Sequence, residues 1–394
     1  MTLPTNTIRA DYSWYGDVAY VANGNKYVLA DASDLMGFAM VSQHDTFEGK
    51  LVELGANITV NTGTAAEMEA RATDFDTTND PITWIPISAF GDAKEFAGTF
   101  DGQMYTISGL YRKSATRGIA LFVGTTGTST VKNLRIENSY FHYDGYELQS
   151  DGYVYPGYVA SIAAWGNGNF ENIYSSATII SEGNCAGGII AAVNKYASAE
   201  HSVKKCWFDG TVTLRDHANA ATQEQRSYYA GGILGQVVNT NVHCTMTDCL
   251  NTGSVTGEIN HLGGLCGYVA DAGTLNIQNS LNVGTVTGNH INRICSIVGF
   301  VEGEIKENDD DQRSSLHLQN VYSLRGVAAN DTYAHEYTST TVNTYITGTV
   351  TILSLSQLTG NSAATNASAL FTTDGVWKSV TGSTPILKFT WKTE

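Results

Sequence analysis

A chain of 394 residues with 40 Gly, 5 Pro and 21 Tyr exceeds what one compact core normally serves, and its turn-rich make-up favours β structure over helix. Its net charge of −16 argues against nucleic acid or an anionic membrane surface as partner. No apolar run approaches the roughly 20 residues of a membrane span, and the polar segment after Met1 lacks a leader's apolar region. Either the protein is cytosolic or a leader has been removed, and the composition favours the second, a secreted protein.

Residues 1–95 read as an N-terminal cap with the first coils. An aromatic-rich start leads into the strand-like KYVLA, then an amphipathic helix over about 32–43, capped by Asp31 or Ser33. Such a helix can cover the open apolar end of a solenoid. A strand pair is expected around KLVEL and NITVN, a polar loop over 62–80, and a return to β structure at ITWIPI. In FAGTFDGQMYTISGLY, Asp101-Gly102 predicts a turn between two strands.

Residues 96–329 carry a repeat, clearest between Tyr229 and Gly288. YAGGILGQV and MTDCLNTGSVTG are followed by HLGGLCGYV and IQNSLNVGTVTG. Each unit reads as a Gly-Gly turn, a short apolar strand, a polar-apolar strand and a Gly-Thr-Val-Thr-Gly-like corner. Neither buries its apolar side chains without a stacked neighbour. The first strands align at Leu121, Ile162, Ile189, Ile233, Leu265 and Ile297. The second strands align at Asn133, Asn172, Lys205, Asp248, Asn279 and Asn320. A coil of about 31 residues with strand alternation and no second helical face predicts a parallel β-helix. General crossover preference makes it right-handed. The Asn column is expected to ladder along the axis, with Lys205 and Asp248 able to pair. Residues 330–394 lose the repeat and read as a C-terminal cap: a strand, one helical turn at LSQLTG and a closing hairpin at VWKSVTGSTPILKF.

Six cysteines form no CxxC pair, so a zinc site is not expected. Cys206 and Cys249 share one register position with Ile173, Ser280 and Val321, which suits small side chains stacked inside the core. A bridge between the two coils is the alternative.

The GGILG and GGLCG units at 231–235 and 263–267 resemble the GLUG-motif β-helix proteins of bacterial cell surfaces. The upstream order DTFEGKLVELGANITVN, WIPI, FAGTFDGQMYTISGLY and the ending TPILKF extend that likeness over about residues 30–390. It implies a β-helix fold and a surface setting in adhesin-like or polysaccharide-associated proteins. Related repeats also lie beside the peptidase unit of immunoglobulin A-cleaving metalloenzymes. The HExxH of that unit is absent here, so the likeness carries over no peptidase activity and no catalytic residue.

Function on a repeat scaffold concentrates where loops leave the repeat. Two insertions, 141–158 and 214–229, add roughly 11 or 12 residues each at the same junction two coils apart. Their bases are expected on one rim, about 10 Å from each other. The first holds Tyr143, Tyr146, Tyr153, Tyr155 and Tyr158 with Asp144, Glu147 and Asp151, and Tyr140 precedes it. The second holds Asp216, His217, Glu224, Arg226, Tyr228 and Tyr229. Aromatic faces stack on sugars while carboxylates accept hydroxyl hydrogen bonds. Carbohydrate binding through Tyr143, Tyr146, Tyr153, Tyr155 and Tyr228 is one reading; tyrosines that merely pack the loops is the other. A third is polysaccharide cleavage, either hydrolysis by a carboxyl pair drawn from Asp144, Glu147, Asp151, Asp216 and Glu224, or elimination with His217 as base beside Arg226 or Lys195. The acidic run 302–311 offers Asp309, Asp310 and Asp311 to calcium, but its spacing matches no calcium loop and a solvated insertion is expected. Trp165, Trp207 and Trp377 are expected to pack.

Overall fold

The computed structural model describes residues 8–72, 79–89, 94–145, 157–195, 200–215, 228–258, 261–289, 293–302, 314–330, 346–372 and 375–393. Parallel strands stack coil upon coil into a right-handed parallel β-helix. Each regular coil has four faces. In one coil these are Tyr229–Gly231, Leu234–Val238, His243–Thr247 with Leu250–Asn251, and Ser254–Gly257. The next repeats them 31 or 32 residues on, pairing Leu250 with Leu281 and Tyr229 with His261. The segment expected as a corner is therefore a fourth strand, because Val255 and Val286 bury their side chains in the core. Ile233, Leu265 and Ile297 lie at the bend between the first two faces and are fully buried there.

That bend explains the Gly-Gly signature. A Cβ on Gly231 would fall 2.0 Å from the Leu234 carbonyl oxygen, and one on Gly263 would fall 1.9 Å from that of Cys266. The chain turns so tightly that only hydrogen fits. Inside the coil, the Asn251 amide donates to Asn282 Oδ1 at 2.8 Å, a buried ladder of one-coil spacing.

The outer Asn column has a conformational cause. Asn133, Asn172, Lys205, Asp248, Asn279 and Asn320 all adopt φ between 47° and 56°. Asn tolerates this left-handed region better than other side chains with a Cβ. Its amide also bridges coils: Asn172 donates to Asn133 and Asn320 to Asn279, both at 2.9 Å. Lys205 and Asp248 form no ion pair. The Lys205 ammonium lies 5.3 Å from the Phe389 ring centroid, and Asp248 accepts from Trp377 Nε1. Cys206 and Cys249 stack in register with Ile173 and Ser280 as expected, and all six cysteines are free and buried.

At the N-terminal end, α1 spans Asp17–Ala22 and α2 spans Ala32–Val41, capped by Asp31, whose carboxylate accepts from the Ser33 and Asp34 N–H groups. The 62–80 stretch is not all loop. A third helix, α3, occupies Ala65–Ala72, begun by a reciprocal Thr64–Glu67 cap. Leu51–Leu54 and Ile58–Thr59 pair with Thr99–Ser108 of the next coil and not with each other. Asp101-Gly102 makes no hairpin: Thr99–Ser108 runs on past a bulge, with Gln103 and Met104 at φ 53° and 65°.

The C-terminal region also departs from expectation. Ile346–Thr347 and Val350–Leu353 add another rung, and Trp377–Val380 pairs with Ser383–Leu387 as the expected hairpin. The helical turns and hairpin lie along the side of the coils. They cover Leu250, Leu281 and Tyr322, an outward apolar column on three successive coils. The tail then runs back against the axis. Trp391 lies 6.4 Å from Tyr174, and the Lys392 N–H donates to the Met104 carbonyl at 2.9 Å.

Candidate functional site

Both insertions leave the fourth face and re-enter on the first. Tyr143, Ser181 and Leu214 are in register where the chain departs; Tyr158, Cys185 and Tyr229 are in register where it returns. The bases share one rim, separated by the short 181–185 connection, as the repeat arithmetic requires. Tyr146, Glu147, Asp151, Tyr153, Tyr155, Asp216, His217, Glu224 and Arg226 lie outside the described residues, as do Asp309, Asp310 and Asp311.

The tyrosines at the bases divide by burial. Tyr143 and Tyr228 are only 1% and 2% exposed and belong to the main core, so neither offers a ring face to a ligand. Tyr143 packs against Gly157 and Gly183, where added Cβ atoms would fall 2.3 and 2.6 Å from its ring. Both ligand-contact assignments are corrected on that ground. Tyr140 is buried as well. Its hydroxyl donates to Glu69 Oε1 on α3 at 2.6 Å and lies 3.1 Å from His142 Nδ1, while His142 Nε2 meets Glu182 Oε1 at 3.2 Å. Burial pushes the His142 pKa down, opposed by Glu182, and the imidazole links Tyr140, and through it α3, to the coil. Asp144 is partly buried, and its N–H donates to the Ser114 carbonyl at 3.2 Å.

Tyr158 and Tyr229 instead begin a row of rings outside the bend between the first and second faces. The first-face column reads Tyr158, Cys185, Tyr229, His261; the second-face column reads Trp165, Ala192, Gln236, Tyr268, Phe300. Tyr229 and Tyr268 stack at 4.0 Å with planes 1° apart, Tyr158 meets Trp165 at 4.6 Å, and His261 meets Phe300 at 4.4 Å. Ala120, Ala160, Ala164, Ala191 and Ala192 form a separate apolar cluster with Trp165 beneath this row. Burial raises the Tyr158 and Tyr268 phenol pKa values, so both keep their protons and remain hydrogen-bonding hydroxyls at neutral pH.

The row was hidden because its members come from conserved spacing across a bend, not from a run. Each pair stands seven residues apart: 158 and 165, 229 and 236, 261 and 268. That spacing about each Gly-Gly-like turn was the available signal. Among the tryptophans expected to pack, Trp165 and Trp377 are 4% and 3% exposed, while Trp207 is partly buried against Phe389.

Neither a family model nor a curated protein matches this chain. Among solved structures, it is similar to a crystal structure described as a "putative immunoglobulin A1 protease" from Bacteroides ovatus, with 18% identity over 93% of each chain and a TM-score of 0.59. A second structure, named IgA1 protease, is matched at 14% identity and a TM-score of 0.46, over 83% of this chain but 21% of that one. At these identities the first likeness is one of fold. Together, fold and comparison define a parallel β-helix protein. No helix among the described residues is long and apolar enough to cross a membrane.

Proposed function

We propose that this is a secreted or cell-surface β-helix that binds carbohydrate along the outer bend where its two insertions return. The observation that carries the reading is the axial row in which partly exposed Tyr158, Tyr229 and Tyr268 are backed by buried Trp165, His261 and Phe300. Aromatic rims held on several coils of a rigid axis suit an extended sugar polymer, and the protonated phenols of Tyr158 and Tyr268 supply hydroxyl partners. The scaffold is pre-formed, which limits the entropy lost on binding.

A glycan array with the purified chain, followed by calorimetry on the best ligand, tests this. Tyr268→Ala and Phe300→Ala should each weaken binding about tenfold or more, roughly the loss of a good stacking contact. Absence of any glycan ligand, or variants that bind as the parent does, overturns the reading. New reducing ends or unsaturated sugars in the mixture would move it to polysaccharide cleavage, with the loop carboxylates as first candidates for substitution.

A further inference from the structure

Beside the root of the first insertion, residues 85–89 and the coil at 112–123 enclose a cavity of about 490 Å3. This size lies in the range of small-molecule sites. Ile85, Pro86, Ala89 and Val123 supply apolar lining, and Arg112 and Thr116 supply polar groups. The wall is held in place from behind. The Gln43 amide donates to the carbonyls of Pro86 and Ser88 at 3.1 and 2.9 Å, and Ser88 Oγ donates to the Gly124 carbonyl at 2.9 Å.

Arg112 is the anomaly. Its guanidinium donates to the Trp84 carbonyl at 3.4 Å and to the hydroxyls of Ser114 and Thr116 at 3.3 Å, all neutral acceptors at the long end of hydrogen bonding. Its Nε is buried with no acceptor, and among the described residues no carboxylate pairs with it. Three other partly buried cations do have a carboxylate partner: Lys26 with Glu53, Lys132 with Asp101 and Lys195 with Glu95. A partly buried charge normally has a counter-charge, and a buried donor left without an acceptor is destabilising. Burial already pulls the Arg112 pKa below its ordinary value.

The cavity's position links it to the row. Gly118 on its lining is in register with Tyr158, and a Cβ there would fall 2.7 Å from the Trp165 ring. Gly145 of the first insertion backs onto Ala115, also on the lining.

We propose that this cavity is an anion subsite, in which the Arg112 guanidinium and Thr116 hydroxyl take the carboxylate or sulfate of an acidic sugar. The planar guanidinium matches either group with two parallel donors, and the sugar ring rests on the apolar wall. The sugar identity rests on the carbohydrate reading above; the anion preference rests on Arg112, with Arg117 a second cation on the lining.

Titration calorimetry with glucuronate, glucose 6-sulfate, glucose and inorganic sulfate tests it on the full chain. At least one acidic sugar should bind ten times or more tighter than glucose, and which one binds tells carboxylate from sulfate. Arg112→Gln should lose that preference at least tenfold with an unchanged or higher melting temperature, and Arg112→Lys should recover part of it. Ala89→Trp, which fills the cavity and leaves Arg112 in place, should abolish acid binding as well. Acidic sugars that bind no better than glucose, or a preference that survives Arg112→Gln, overturn the subsite. Inorganic sulfate binding as tightly as the sulfated sugar also overturns it. If polysaccharide is still retained after such a failure, the carbohydrate reading stands and only the subsite falls. If acidic sugars need Arg112 while no polymer is bound, the reverse holds.

Discussion

Trp377 Nε1 donates to Asp248 Oδ1 at 3.2 Å across 129 residues of chain, tying the C-terminal hairpin to the flank of a central coil. This contact satisfies the one carboxylate in the left-handed column and starts a strap that ends at Met104. Trp377 is 3% exposed, so Trp377→Ala should cost about 3–5 kcal/mol, read as a fall in the urea midpoint.

Asp248 itself offers a test with a defined sign. Burial raises its pKa, opposed by the Trp377 hydrogen bond. A raised carboxyl pKa favours the protonated native state, so the group's contribution is present at low pH and is lost as pH rises through the folded value. Asp248→Asn keeps an oxygen acceptor and tolerates the same φ. It should equal or exceed the parent in stability at pH 7, with the gap closing towards pH 4. Urea unfolding at both pH values checks this, and a variant clearly weaker at pH 7 would contradict it.

The left-handed column predicts opposite effects at two neighbouring rungs. Asn172→Val places a β-branched residue at φ 55° and removes the bond to Asn133, for a loss of about 2–3 kcal/mol. Lys205→Asn restores the favoured residue and relieves the burial of a charge, at the loss of the contact with Phe389 and the attraction of Glu171 and Asp248, so it should be neutral to mildly stabilising. Chemical denaturation of both variants decides the point; equal stability of Asn172→Val and parent would remove the conformational explanation.

Six buried thiols should be inert in the folded chain. Burial pushes the Cys266 pKa to about 12 and also raises those of Cys185, Cys206 and Cys244, which suppresses the reactive thiolate. Ellman's reagent should find no fast-reacting thiol at pH 8 and all six after denaturation. Rapid modification of the native protein would show that the coils open.

Acid should loosen the α3 clamp. Burial lowers the His142 pKa, against the raising effect of Glu182, with Lys113 and Asp144 nearby. Here the unfolded chain takes up the proton first. The stability contribution is complete above the ordinary histidine value of about 6.5 and declines as pH falls below it. His142→Gln should therefore lose less stability than the parent between pH 7 and pH 5, measured as the shift in melting temperature.

The coil was legible because a solenoid repeats its burial pattern locally. Val255 and Val286, or Cys206 and Cys249, announce their shared environment by position alone. The loop bases were legible for the same reason, since counting residues between rungs places departures on one rim. The character of the tyrosines was not. Tyr143 and Tyr158 lie in the same insertion, yet one sinks between two glycines and the other faces outward to Trp165. Composition cannot say which way a strand end points. The bulge at Asp101 was misread because its turn-forming residues make a kink and not a reversal.

By itself, the amino-acid order determined the stacked β coil, its period, its Gly-Gly bends and the rim from which both insertions leave, because these follow from short-range spacing and the need to bury apolar rungs. Only the tertiary structure decided where the C-terminal strap lies, which rings line the outer bend and that no carboxylate among the described residues pairs with Arg112. Those facts join residues far apart in sequence. Their contacts depend on how faces bend and cover one another, which no local pattern encodes.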